Sequence, residues 1–227
     1  MHAELRALLP LLPDARTVRL AGRDFHHGHI ADQPVVMVLS GIGKVAAATT
    51  ATLLLTEFGA ESIVFTGVAG GLGDGVEVGD VVVARQLLQH DMDASPLFPR
   101  YEVPLTGTSR FATDATLSDQ LAAAAQRALP SAQVHEGLIV SGDRFVATAA
   151  ESRLLRQALP DALAVEMEGA ALAQVGADFG ARFAVLRTIS DRADDSAHTD
   201  FERFIDEVAS QHTLAIVGGW LRSRRVK

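Results

Sequence analysis

The stretch AVEMEGAALAQV, Ala164 to Val175, sets two carboxylates, Glu166 and Glu168, either side of Met167 in an otherwise apolar run. Burying a carboxylate without partners costs several kcal/mol, so the pair needs either solvent or a purpose. A second apolar run, RFAVLRTISD, ends in Arg187, Ser190 and Asp191. Carboxylates at the ends of buried runs can hold hydroxyl groups and move protons. Simpler readings exist beside that one. Glu168 could be a first-turn acid favoured by the dipole of the helix that follows, and Ser190-Asp191 could be an ordinary strand-ending turn.

Three further runs end the same way: Ser40-Gly41-Ile42-Gly43, Thr66 to Gly71, and Ser141-Gly142-Asp143. Ligands of open α/β sheets bind beyond the carboxyl ends of the strands, and small residues there let a ligand approach the backbone. Five strand ends with this chemistry weaken the simpler readings together. Other motifs carry less. SGIGK lacks the upstream glycine of a phosphate-binding loop, and GVAGGLGDG does not open a helix as a dinucleotide fingerprint would. His26-His27-Gly28-His29 reads as a surface turn, and His90-Asp91 with Asp93 is a weak metal candidate. There is no cysteine and no G-x-S-x-G elbow, so no nucleophilic triad is expected.

The elements that must position these residues alternate between strand and helix. VVMVLS reads as a buried strand, SIVFTGVAGG, GDVVVARQLL and VHEGLIVSGDRF as strands, and RFAVLRTISDRAD as a strand ending in polar residues. KVAAATTATLLLTEFG, LSDQLAAAAQRAL, TAAESRLLRQAL and a long closing segment from Phe201 read as helices, and ALAVEMEGAALAQVGADFG as a strand passing directly into a helix. That alternation predicts an α/β fold, a three-layer α/β/α sandwich with a mixed central sheet, in one domain over residues 1–227. Asp91–Thr113 is the one long irregular stretch, and such loops carry function or meet a partner. The chain of 227 residues is 48% hydrophobic with a formal charge of −8, which disfavours nucleic acid and acidic membranes as partners. The N-terminus does not read as a signal peptide, and no apolar run reaches the ~20 residues of a membrane helix. A cytoplasmic protein is expected.

With SGIGKVAAA, FTGVAGGL, VGDVVVA, GLIVSGDRF, AVEMEGAALA and LRTISDRAD in this order, the sequence resembles the 5′-methylthioadenosine/S-adenosylhomocysteine nucleosidases of the nucleoside phosphorylase superfamily. The resemblance implies the nucleoside phosphorylase-like sandwich and hydrolysis of an N-glycosidic bond, with release of adenine and no metal or organic cofactor. It implies that Asp191, oriented by Ser190, protonates the purine at N7. Glu168 would bind the ribose hydroxyls, and Glu4 would activate the attacking water. Phe145 would stack on adenine, with Val146 at its edge. Met167 would pack on the ribose, and Arg187 would reach the ribose and water region. Phe201, Ile42 and Met1 would line the sugar and alkylthio pocket, and Leu97 and Phe98 would complete it from the partner of a homodimer. Val68, Ala69 and Gly70 finish the binding set, Val68 through its backbone alone. Glu166 is counted with them, with a structural role left open. The chemistry suits these types: a departing base leaves positive charge on the ribose, and paired carboxylates divide the acid and base work. The acid must keep its proton near neutral pH, so Asp191 is expected to be buried.

Phosphorolytic relatives carry an arginine and a serine or threonine where this chain has Phe65 and Val68, which favours water as the nucleophile. The family also carries a strand and a glycine-alanine turn ahead of the segment matching MHAEL. One strand of the sheet is therefore expected to be missing, and Glu4 to lie on an untethered terminus. Three other readings compete: a futalosine-type nucleosidase, a nucleoside phosphorylase, and an adenine-nucleoside-binding protein without turnover.

Overall fold

The structure, a computed structural model, describes residues 2–30, 32–195, 197, 204 and 208–223. Helix α1 (His2–Leu8) runs into a single 3-10 turn and then a small sheet: β1 (Arg16–Leu20), β2 (Arg23–Ile30) and β3 (Gln33–Val38), antiparallel in that order. The β1–β2 turn is Ala21-Gly22, with φ of 46° and 75°. Two positive φ values suit a two-residue hairpin, because they match the twist of the flanking strands.

Helix α2 (Lys44–Thr56) leads into the larger sheet, built from β4 (Ser62–Gly71), β5 (Val81–Gln89), β6 (Arg110–Ala112), β7 (Val134–Ser141), β8 (Ala162–Glu166) and β9 (Arg182–Asp191). Helices α3 (Ala115–Ala128), α4 (Ala149–Ala158), α5 (Gly169–Asp178) and α6 (Ser210–Ser223) connect and close it. The sheet is mixed and flanked by helices, as the alternation predicts. Its order is β6-β5-β7-β8-β4-β9, and β5 also pairs with β9, so five strands close on themselves with β6 outside. The expectation of an irregular Asp91–Thr113 fails at its end. Arg110–Ala112 is β6, paired antiparallel with β5, a strand too short to leave a pattern.

Successive strand residues face opposite sides, and here they divide between two cores. Val82, Val185 and Ile189 pack with Ala51 and Leu54 of α2 and with Leu172 of α5. Val81, Val83 and Leu186 pack with Leu8 of α1, Leu121 of α3 and Trp220 of α6. This burial on both sides is why β5 and β9 lack polar alternation. No helix among the described residues is long and apolar enough to cross a membrane.

Helix α5 approaches β9 closely through Gly176. A Cβ there would lie 2.5 Å from Phe183 Cδ1, a collision that the ring must relieve by moving within a packed core. Overpacking costs roughly 1–3 kcal/mol, against about 1 kcal/mol gained by replacing a helical glycine. Gly176→Ala is therefore expected to lower stability by about 1 kcal/mol, read as a lower urea midpoint at unchanged slope. A raised midpoint would show that the α5–β9 contact is slack.

Candidate active site

The strand ends open into a cavity of about 1500 Å³. Its lining includes Glu4, Ile42, Val68, Ala69, Gly70, Phe145, Val146, Glu166, Met167, Glu168, Arg187, Ser190 and Asp191, so the expected residues come together from elements far apart in sequence. Leu97 and Phe98 do not line it, and Leu97 is 84% exposed. Met1 and Phe201 lie outside the described residues.

At the centre is Arg187, 1% exposed. It lies opposite Gly67 in the β4–β9 register, and the missing side chain there lets the guanidinium cross β4. The Arg187 guanidinium rests 4.2 Å from the centre of the Phe65 ring. Its Nε and Nη2 donate to Glu166 Oε2 at 3.2 and 2.5 Å, and Nη2 lies 3.8 Å from Glu168 Oε2. Among the described residues Nη1 has no hydrogen-bond partner. A buried donor left unmatched costs about 1–3 kcal/mol, which a ligand oxygen would relieve.

The two glutamates divide their work. Glu166 also accepts from the Ser141 hydroxyl and from the backbone N–H groups of Glu168 and Gly169. Ser141 Oγ in turn accepts from Ala170 N at 2.7 Å. Glu166 and Ser141 thus satisfy the first N–H groups of α5, which have no partner within their own helix. The first-turn acid role considered for Glu168 belongs to Glu166. With both its oxygens engaged in these bonds, Glu166 positions Arg187 and the start of α5.

Glu168 instead crosses the cleft. Its Oε1 accepts from Gly43 N at 2.9 Å. Helix α2 has no side-chain cap of its own, and Gly43 precedes it at φ 92°, a backbone that favours glycine. Its first N–H groups are met by Glu168 and by Asp143, whose Oδ1 accepts from Lys44 N at 2.7 Å. Burial, and then the neighbouring charge of Glu166, push the Glu168 carboxyl above its usual range, against the opposing pull of Arg187 and the Gly43 N–H.

Asp191 owes its position to a β-bulge. The β4–β9 register passes from Ala69–Ile189 to Gly70–Asp191, leaving Ser190 as the extra residue. Bulges re-aim side chains in this way, and Ser190 Oγ donates to Asp191 Oδ2 at 2.8 Å while Ala193 N donates to Oδ1 at 2.8 Å. A Cβ at Gly70 would lie 2.9 Å from Asp191 Oδ1, so the glycine turn makes room for the acid. Asp191 is 1% exposed, as its expected role requires.

Glu4 is not on an untethered terminus. It is 3% exposed, and Thr213 on α6 donates to its Oε1 at 2.7 Å. Packing of α1 against α6 holds it. Sequence reasoning missed Thr213 and the Gly43 N–H. No motif marks Thr213, whereas two glycines bracketing Ile42 before a helix were a signal for Gly43. The metal candidates stay apart: His26 Nδ1 meets Thr17 Oγ1 at 2.9 Å, and Asp91 pairs with Lys44 at 2.7 Å. Among the described residues no cluster of three or more potential metal ligands occurs.

A fold of this topology with these acids at its strand ends is that of the phosphorylase superfamily, whose family model matches residues 1–218. The chain belongs to that superfamily and, within it, to the 5′-methylthioadenosine/S-adenosylhomocysteine nucleosidases. It is 35% identical to the nucleosidase of that name from Shewanella denitrificans, over 96% of this chain and 94% of the relative. The crystal structure of the Neisseria meningitidis nucleosidase in complex with methylthio-immucillin-A superposes with a TM-score of 0.92 at 36% identity, over 98% and 96% of the two chains. A futalosine hydrolase mutant of Helicobacter pylori is similar too, with a TM-score of 0.88 at 32% identity over 98% and 96%.

The raised pKa of Glu168 has a sign that can be measured. A buried acid that resists ionisation opposes folding while charged, and that opposition fades as pH falls through its folded pKa towards the ordinary value of 4.5. Glu168→Gln keeps an acceptor for Gly43 N and removes the charge. It should raise the melting temperature at pH 7–8, by an amount that shrinks as the pH approaches 4.5. A lowered melting temperature at pH 8 would mean that the attraction to Arg187 outweighs burial.

Proposed function

We propose that the chain hydrolyses the N-glycosidic bond of 5′-methylthioadenosine and S-adenosylhomocysteine, releasing adenine and the 5-thioribose product. The observation that carries this reading is the gathering of Glu4, Glu168 and Asp191 around one cavity that contains Arg187 and no second buried cation beside it among the described residues. Water adds to the ribose anomeric carbon as the bond to the base nitrogen breaks. Glu4 accepts the proton of the water, and Asp191, held by Ser190, supplies one to N7 of the leaving adenine. Glu168 accepts hydrogen bonds from the ribose hydroxyls, which strengthen as positive charge grows on the ring. Arg187 Nη1, the unmatched donor, is available to a ribose or water oxygen. Phe145, 41% exposed at the cavity, offers its ring to the base, and Val146 its backbone. Ile42 and Met167 supply apolar contact with the sugar.

Water rather than phosphate fits surroundings rich in carboxylates and poor in buried cations. Phe65, in the place of the phosphorylases' arginine, is packed beneath Arg187, and Val68 brings no hydroxyl. Leu97 and Phe98, which do not line this chain's own cavity, are the residues through which a second copy would complete the pocket in a homodimer. The reading carries with it the expected cytoplasmic location. Similarity to a futalosine hydrolase keeps that nucleoside as the second reading, differing in the group carried at the 5′ position.

Free adenine released from methylthioadenosine, measured with and without phosphate, tests the proposal. Equal rates in both are expected. Release only with phosphate would mean a phosphorylase, and release from futalosine alone would select the second reading. Asp191→Asn should lower kcat by about 10²–10⁴-fold while substrate still binds. Undiminished turnover would remove Asp191 from its role.

A further inference from the structure

Three polar side chains that do not line the cavity, Lys44, Asp91 and Asp143, join two of its walls. The chain leaving β5 grips the turn after β7 at consecutive residues. His90 N donates to Ser141 O at 2.9 Å. The His90 ring then lies against Gly142, where a Cβ would stand 2.4 Å from Nε2, so the turn has room for no side chain there. Asp91 Oδ2 accepts from Asp143 N at 2.9 Å. The other oxygen of Asp91 faces α2: Lys44 Nζ donates to Oδ1 at 2.7 Å, and also to Gln89 Oε1 at 3.2 Å. Lys44 N closes the ring by donating to Asp143 Oδ1 at 2.7 Å. Each of the three residues thus touches the other two.

A helix start can be satisfied more simply. Helices α3 and α4 are capped by their own Asp114 and Thr148, each accepting from an N–H three residues on. Helix α2 instead borrows its acceptors from Asp143 and Glu168, 99 and 125 residues away. A local cap steadies a helix, whereas a distant one fixes the helix against another segment. Both segments here belong to the site. Asp143 lies two residues before Phe145, and Phe145 and Val146 line the cavity. Lys44 follows Gly43, whose N–H holds Glu168. Burial pushes the Asp91 carboxyl up, but Lys44 and the Asp143 N–H outweigh it and hold the group below its usual range. Both oxygens of Asp91 are therefore acceptors near neutral pH.

We infer that Asp91 is a positioning residue for the nucleoside site: holding Lys44 Nζ on one oxygen and the Asp143 N–H on the other, it fixes the turn that carries Phe145 and Val146 against the start of α2 before substrate arrives. This role rests on the proposed function, which gives Phe145 and Val146 to the base. A turn already in place need not be ordered on binding, and ordering costs affinity. The bound geometry is the same with or without the tie, so its loss weakens ground state and transition state alike. Such a loss raises KM and leaves kcat unchanged.

The test is Asp91→Asn, nearly the same shape but with one oxygen for two donors, so that either Lys44 Nζ or Asp143 N meets an NH₂ group. Asp119→Asn makes the same change of charge on α3, away from the cavity, where Asp119 pairs with Arg85. Hydrogen exchange in the free protein is read at Gly43, Lys44 and Gly142, whose N–H groups bond to Glu168, Asp143 and Glu166 and not to Asp91. KM and kcat are measured with methylthioadenosine. Asp91→Asn should speed exchange at these sites by about tenfold, with saturating methylthioadenosine restoring slow exchange. It should raise KM by about tenfold while kcat stays within about twofold; Asp119→Asn should change none of these. Unchanged exchange and KM in Asp91→Asn, or a lowered kcat at unchanged KM, would overturn the inference. A parent chain that releases no adenine contradicts the proposed function instead, and the exchange contrast between Asp91→Asn and the parent then decides the role of Asp91 alone. If Asp91→Asn fails to fold, Lys44→Met, which removes the Nζ and keeps the backbone N–H, is read in the same way and against the same outcomes.

Discussion

The site depends on burying one cation. Arg187, on a strand enclosed by two cores, has almost no contact with water and must be matched where it lies. Removing one partner of a buried ion pair costs about 3–5 kcal/mol, so the surroundings of Arg187 are tightly constrained. Gly67 gives the guanidinium passage, Phe65 gives it a ring face, and Glu166 takes its Nε and Nη2. Because Glu166 also holds the first turn of α5, the same carboxylate sets the cation and the helix that Glu168 precedes. Two glutamates are therefore needed where one charge would balance one arginine. The first is tied to Arg187 and to the start of α5, and the second reaches across the cleft to Gly43.

The remaining polar groups are positioned by similarly local devices. A one-residue bulge turns Ser190 and Asp191 toward one another. An uncapped helix start draws Glu168 and Asp143 toward its N–H groups, which ties α2 to the site across the cleft. A helix–helix contact brings Thr213 to Glu4. None of these devices needs a long loop: the acids stand on strand ends, a helix start and a packed helix, and such elements hold a geometry better than loops do.

Much of this is legible in the sequence because apolar runs that stop at polar residues mark strand ends directly. Glu168, Arg187 and Asp191 stand out for that reason, and so do the strand–helix alternation and the mixed sheet. The pairing of β5 with β9 is not legible, since pairing between distant strands leaves no local pattern. Neither is the division between Glu166 and Glu168. Two residues apart on a strand they would share a face, but Glu168 lies beyond the end of β8, where the chain turns into α5 and the two-residue period is lost. The tethering of Glu4 was missed because the anchor, Thr213, lies some 200 residues away on α6. The family resemblance supplied Glu4 itself, which no spacing in the sequence would have singled out.

The central claim is that Glu166 serves the fold and Glu168 serves the ligand. It is tested most directly by binding of methylthioadenosine, by calorimetry, in the Asp191→Asn background, with Glu166→Gln and Glu168→Gln added separately and the melting temperature of each recorded. The account predicts that Glu168→Gln weakens binding by roughly tenfold, the worth of a charged hydrogen bond, without loss of stability at neutral pH, and that Glu166→Gln lowers the melting temperature. Undiminished binding by the Glu168→Gln protein, together with weakened binding and full stability in Glu166→Gln, would contradict it.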